Sequence, residues 1–271
     1  GGVGSPVIAP AFRSEWLKLR RRALLLGGAG SVIGFTVLVT VLGVARATSG
    51  PSFGGGHGFR VSVAELSQPD GIARGFTNAS GLLGIAVLGI FAASLGGEYT
   101  NGTLRNLLVR EPRRLRLLGG SFAALAVFAV ILVALAALAS ALVALALAPS
   151  KGIDTSGWRS SEGLQAWWSA LWHVTLASLG YGTAGAVLAI AFRSPVIALA
   201  AGVAWMLPGE AILTAAWSDG ASWLPRQLLD ALAKDGTASA SFARAVALLA
   251  VYGAVAVAVA ATLFARRDVT A

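Results

Sequence analysis

The chain has 271 residues, of which 56% are hydrophobic and only 12% are charged, and its formal net charge is +9. A soluble protein cannot bury that much apolar surface, and several runs are long enough to cross a bilayer. The sequence contains no cysteine and only two histidines. Disulfides, thiolate metal sites and histidine-rich metal centres are therefore excluded. The composition predicts a polytopic membrane protein without a metal site.

The first predicted element in chain order is an amphipathic helix over residues 10–22, with apolar residues on one face and arginines at its end. This pattern is typical of a helix that lies in the membrane interface, with its tryptophan at the headgroups and its arginines on anionic lipid. The alternative is a basic flank that serves only to stop translocation. The residues expected at the interface are Phe12, Trp16, Leu19, Arg20, Arg21 and Arg22.

Six long apolar runs then predict transmembrane helices in a single all-α domain. They cover about 23–45, 76–97, 117–148, 166–192, 195–217 and 245–265. The third run exceeds the length of a straight crossing, so we expect it to tilt or to project from the bilayer.

Three polar links join these helices on one side of the membrane, over 46–75, 149–165 and 218–244. The first contains prolines and a glycine run and predicts an irregular loop. In the third, the stretch from Trp223 to Leu232 predicts a short surface or re-entrant helix. Most of the 21 lysines and arginines lie on the opposite side, in shorter loops. The positive-inside rule therefore predicts that both termini and residues 98–116 are cytoplasmic.

The 98–116 interval predicts a short amphipathic helix between the second and third spans. Leu104, Leu107 and Leu108 share one helical face, Thr100 or Asn101 can cap the start, and Pro112 ends it. Such a helix can lie on the membrane surface or fit a groove of a soluble partner. Topology and lipid binding are the alternative role for its arginines.

Three segments carry a family resemblance. Glu98-Tyr99-x-x-Gly102-Thr103-Leu104-Arg105-x-x-Leu108, followed by Pro112-Arg113-Arg114, resembles the cytoplasmic loop of ABC-2 type permease subunits. Ser14-Glu15-Trp16-x-Lys18-Leu19-Arg20 resembles the opening of that family, and Phe264-Ala265-Arg266-Arg267-Asp268-Val269 resembles its end. The matches fall at the start, middle and end of the chain, so the resemblance covers essentially all of it.

The resemblance implies an elbow helix followed by six transmembrane helices. It also implies that two permease subunits, identical or paralogous, pair and recruit two ATPase subunits, which bind ATP and Mg. The loop after the second span would be the coupling helix seated on the ATPase. The residues that would carry this coupling are Glu98, Tyr99, Gly102, Thr103, Leu104, Arg105, Leu107, Leu108, Pro112, Arg113 and Arg114.

The residues agree with this expectation on one independent point. The sequence has no Gly-Lys dipeptide, so it lacks the P-loop signature Gly-x-x-x-x-Gly-Lys-Ser/Thr. We therefore expect the ATPase in a separate polypeptide, no enzymatic activity in this chain and no cofactor bound by it.

A few polar or large side chains in the spans are candidates for a substrate pathway. Family analogy suggests Asn78, Ser80 and Ser94 on the second span, with Trp205 and Met206 on the fifth, and ordinary helix packing is the alternative. Glu210 follows a helix-breaking Pro-Gly pair; it is either a functional carboxylate at membrane depth or a residue at the outer interface. For His173 we expect a packing role.

The sequence thus favours the permease of an ATP-driven exporter for a hydrophobic or amphipathic compound, in the cytoplasmic membrane of a bacterium. The excess of arginine over lysine suggests a GC-rich genome such as an actinobacterium's. The alternative is a secondary transporter or channel in which Glu210 or His173 titrates, but the two halves show no internal repeat. An intramembrane enzyme would need paired carboxylates or a Ser–His pair at membrane depth, and the chain offers little of either.

Overall fold

The computed structural model of the protein describes residues 22–47, 61–100 and 114–266. In these ranges the chain forms helices joined by turns, and six helices are long and apolar enough to cross a membrane. Five of the six spans are single helices: α1 (Arg22–Ala45), α4 (Ser80–Thr100), α5 (Arg114–Leu147), α6 (Ser161–Phe192) and α10 (Phe242–Arg266). The remaining span, the fifth in chain order, consists of α7 (Pro195–Ala204), a π-helical segment (Trp205–Gly209) and α8 (Glu210–Ala216).

In the described ranges, three shorter α-helices lie between the spans: α2 (Val63–Leu66), α3 (Gly71–Asn78) and α9 (Pro225–Ala233). The all-α fold with six spans agrees with the sequence prediction. The predicted short helix of the last link is present as α9. Residues of the interfacial helix before Arg22 lie outside the described part of the chain.

From residue 61 onward, where the structure describes it, the link before the second span differs from the irregular loop that the sequence predicted. Ser62 and Glu65 form a capping box that starts α2, with each side chain bonded to the other residue's backbone amide. The next helix, α3, buries Ala73 and Phe76 in the main core. This part of the link therefore folds because its apolar residues pack into the core, which glycine and proline content alone does not reveal.

The two ends of the bundle are named here by the arginine distribution. We call the end that carries Thr100, Arg114 and Arg193 the inner end, which is the predicted cytoplasmic side, and the opposite end the outer end. At the outer end, the indole N–H of Trp158 donates to the carbonyl of Leu66 over 2.8 Å, and the ring is almost completely buried. This contact fastens the link after α5 to the link before α4.

Helix α4 packs closely on α6, and glycines allow the approach. A Cβ atom added at Gly84 would collide with the Tyr181 ring, and one at Gly185 would collide with the backbone carbonyl of Leu88. Small residues let two membrane helices approach to backbone contact, where dispersion forces hold them together. This pair therefore forms the rigid centre on which the other spans pack.

We predict that Gly185→Ala destabilises the protein by about 1–3 kcal/mol, because the Leu88 carbonyl belongs to the backbone and cannot move aside without shifting α4. The thermal unfolding midpoint of the purified protein in detergent measures this effect. Gly81→Ala on α4 is the matched control, since a Cβ there meets no atom within 4 Å. Equal midpoints for the two variants would contradict the close contact.

Candidate functional site

The fifth span is interrupted at Pro208, which lies inside the π-helical segment Trp205–Gly209. Proline has no N–H to donate, and its ring crowds the carbonyl four residues earlier. A wider π turn accommodates that crowding, and such turns occur often at functional sites. The sequence located this break through Pro208-Gly209, although it did not predict the π geometry.

Glu210 begins the helix after the break, and its side chain is completely buried, with 0% exposure. Both carboxylate oxygens accept the backbone N–H of Arg226, each over 3.0 Å. The backbone amide of Gln227 and the indole of Trp205 also lie near this carboxylate. The partner of Glu210 is therefore the first turn of α9.

This arrangement is a helix cap supplied from a distant part of the chain. The first amides of a helix have no partner inside it, and the helix dipole makes that end favourable for a negative charge. Pro225 occupies the first turn, where its missing N–H costs nothing. A carboxylate buried in a membrane protein is costly unless such donors surround it. Glu210 therefore joins the fifth span to α9 and does not face solvent at an outer interface.

Tyr181 of α6 lies on the other side of this junction. It is 2% exposed, and the charged groups that act on its hydroxyl are Arg226, Asp230 and Glu210. The junction thus gathers polar groups from the fourth span, the fifth span and α9. The sequence contained one signal for this junction, which is Pro225 at the start of the short amphipathic helix α9.

The predicted pathway residues do not share one cavity. Asn78 is exposed at the end of α3, so it precedes the second span and does not belong to it as predicted. Ser80 is buried, and its hydroxyl has no hydrogen-bond partner among the described residues. Trp205 is 48% exposed on the side of the bundle, whereas Met206 is buried beside Tyr181. Ser94 is half-buried on α4, and a pathway role for these residues stays a prediction.

His173 packs with its ring 4.6 Å from the ring of Phe242 at the start of α10. The contact ties the outer ends of the fourth and sixth spans together. This geometry is that of the packing role expected from the sequence.

The predicted coupling residues lie mostly outside the described ranges. The described members are Glu98, which is buried, Tyr99, which is half-buried, and Arg114, which begins α5. Residues 101–113 are not described, and among the interface residues only Arg22, the first residue of α1, falls within the described part. Coupling and interface roles therefore remain predictions from sequence.

Six apolar helices, one of them broken at a proline beside a buried carboxylate, define a multi-pass membrane protein. The sequence model of a family described as ABC-2 family transporter protein matches residues 11–209, which is well over half of the chain. The protein belongs to the ABC-2 transporter family. No curated protein matches its sequence. Membership identifies the chain as a membrane subunit of an ABC transporter and implies an ABC ATPase as its partner.

We predict that Glu210→Leu lowers the free energy of unfolding by about 1–3 kcal/mol, because the first amides of α9 would be buried without an acceptor. Glu210→Gln keeps one carbonyl oxygen and should fall between the wild type and the leucine variant. Thermal unfolding in detergent gives the order.

Thr214→Val is the control for this series. The Thr214 hydroxyl donates only to the Glu210 carbonyl within the same helix, over 2.6 Å, so its loss should leave the midpoint nearly unchanged. A Glu210→Leu protein as stable as the Thr214→Val protein would show that the carboxylate does not hold α9.

Proposed function

We propose that this protein is the membrane-spanning subunit of an ATP-driven exporter, coupled to a separate ATPase through residues 98–116. The observation that carries the proposal is the family match over residues 11–209, which contains the whole interval. ATP and Mg would bind in the ATPase, and two ATPase copies would serve a pair of permeases, identical or paralogous. The complex would sit in the cytoplasmic membrane of a bacterium, with both termini of this chain inside.

The proposed cargo is a hydrophobic or amphipathic compound. The described spans present mostly apolar and small polar side chains, and Glu210, a buried acidic group of the fifth span, already binds the start of α9. A carboxylate occupied in this way is a poor candidate for the proton carrier that a secondary transporter would need. This contact favours the ATP-driven exporter over the alternative.

We predict that Leu104→Asp combined with Leu108→Asp abolishes assembly with the ATPase and ATP-driven transport. Charged groups on the apolar face of the coupling helix could not enter a groove of the partner without a large desolvation cost. Co-purification of the two subunits, followed by transport in proteoliposomes, measures both effects.

The matched control is Asn106→Asp combined with Val109→Asp. At 100° per residue these two positions lie on the helical face opposite the leucines, so the variant adds the same charge without touching the docking face. If the leucine variant assembles and transports like this control, the 98–116 interval is not the coupling element.

The orientation has a separate test, for which the absence of native cysteine is convenient. We predict that single cysteines at Asn106 and Ser156 react with a membrane-impermeant thiol reagent from opposite sides of the membrane. Ser156 is exposed on the link after α5, so its labelling needs no opening of the fold. Reaction of both cysteines from one side would contradict the topology.

A further inference from the structure

A groove in the outer half of the bundle runs between α6, α9 and α10. Its cavity volume is about 470 Å³, and its walls include Leu176, Leu179, Leu229, Leu249, Tyr252 and Ala256. The two side-chain hydroxyls on these walls are already engaged: Thr183 donates to the Leu179 carbonyl and Tyr252 to the Trp223 carbonyl. The groove therefore presents an apolar surface to its occupant.

The groove opens to the side of the bundle. Val246 and Ala250 of α10 line it and are exposed. The lining on α10 extends from Val246 to Ala256, which is about 15 Å along the helix. An apolar cavity of this kind holds no stable water, and at this depth the surrounding solvent is the acyl chains of the bilayer. Its volume falls within the range of small-molecule sites.

A cation lies at the outer end of the groove. Arg244 is exposed two residues before Val246, its guanidinium donates to the Ser222 hydroxyl over 3.0 Å, and it lies 5.0 Å from the centre of the Trp223 ring. The ion pairs found in the described part of the chain join other residues, Arg74 with Asp70 and Lys234 with Asp230. A guanidinium is well suited to phosphate, and tryptophan to the level of the headgroups.

Trp223 links this cation to the apolar wall. The guanidinium of Arg244 lies over its ring. Its carbonyl accepts a hydrogen bond from the hydroxyl of Tyr252, which lines the groove. The groove thus has a positive charge at its outer end and an apolar wall below that charge. A phospholipid has the same order of parts, with its phosphate at the interface and its acyl chain pointing toward the bilayer centre.

We propose that this groove binds one acyl chain of an anionic phospholipid of the outer leaflet, with the lipid phosphate on Arg244. The chain fills the space between the fourth and sixth spans and packs on Leu229 of α9, the helix that Glu210 caps. The lipid thereby supports the outer part of the bundle. The site goes beyond the proposed transport function, because its occupancy requires neither ATP nor the ATPase.

The full chain, placed in phosphatidylcholine nanodiscs with a small amount of photoactivatable phosphatidylglycerol, tests the acyl-chain site. Crosslinks mapped by mass spectrometry should fall on α6 and α10 along the groove. Gly253→Leu should reduce them about tenfold, since the new side chain occupies the space of several methylenes. A Cβ at Gly253 meets no atom within 4 Å, so the substitution fits the fold.

Ala254→Leu is the matched control. It adds the same side chain one residue later on α10, at an exposed position that does not line the groove, and it should leave the crosslinks unchanged. Equal crosslinking in the wild type and both variants would overturn the proposal. Crosslinks to a second copy of the chain across this face would also overturn it, because the groove would then be a subunit interface.

The headgroup contact has its own readout, the competition of unlabelled phosphatidylglycerol against phosphatidylcholine for the site. Arg244→Ala should lower the preference for the anionic lipid about tenfold, the loss expected for a charge-assisted hydrogen bond. Arg159→Ala removes an equal charge from another exposed outer link and should change nothing. An unaltered preference in the Arg244→Ala protein would overturn the phosphate assignment.

Discussion

Inside a bilayer every backbone amide and carbonyl needs a partner within the protein, and the bond between Glu210 and the first turn of α9 meets this requirement where the helices stop. Pro208 breaks the fifth span, and α9 starts a new helix beside the break. The carboxylate supplies the acceptor that the start of α9 lacks, and the helix dipole stabilises the carboxylate. Removal of the carboxylate would leave the first amides of α9 without this acceptor.

Packing is uneven around this junction. In the α4–α6 pair, Gly185 lies against the backbone of Leu88 and Gly84 lies against the ring of Tyr181. The sixth span, α10, is mostly exposed and touches the bundle mainly through α6 and α9. A helix attached along so narrow a strip leaves space beside it, and the groove under Val246 and Leu249 is that space. The tightly packed helices therefore form the rigid part of the subunit. Beside the loosely packed α10, the proposed lipid fills the remaining space.

The sequence predicted the six spans because bilayer thickness fixes the length of an apolar run and each run here meets it. It also predicted α9 and a break at Pro208-Gly209. It misplaced Asn78, the last residue of α3, because a short helix against a core resembles an adjacent span in composition. It left the environment of Glu210 open because the partner amides lie sixteen residues further along the chain. Long-range contacts of this kind leave no local pattern in the sequence, whereas a transmembrane span appears there as a long apolar run.

Residues 98–116, which we propose as the docking interval for the ATPase, begin in the last turn of α4, a helix that packs closely on α6. Glu98 and Tyr99 form the last turn of α4, and Gly96 one turn earlier lies against the backbone of Pro195, the first residue of α7. A displacement of 98–116 would therefore reach the fifth span at its inner end. The wide turn at Trp205–Gly209 separates α7 from α8, and Glu210 fastens α8 to α9. The π-helical segment therefore lies between the helix that contacts α4 and the helix that Glu210 joins to α9.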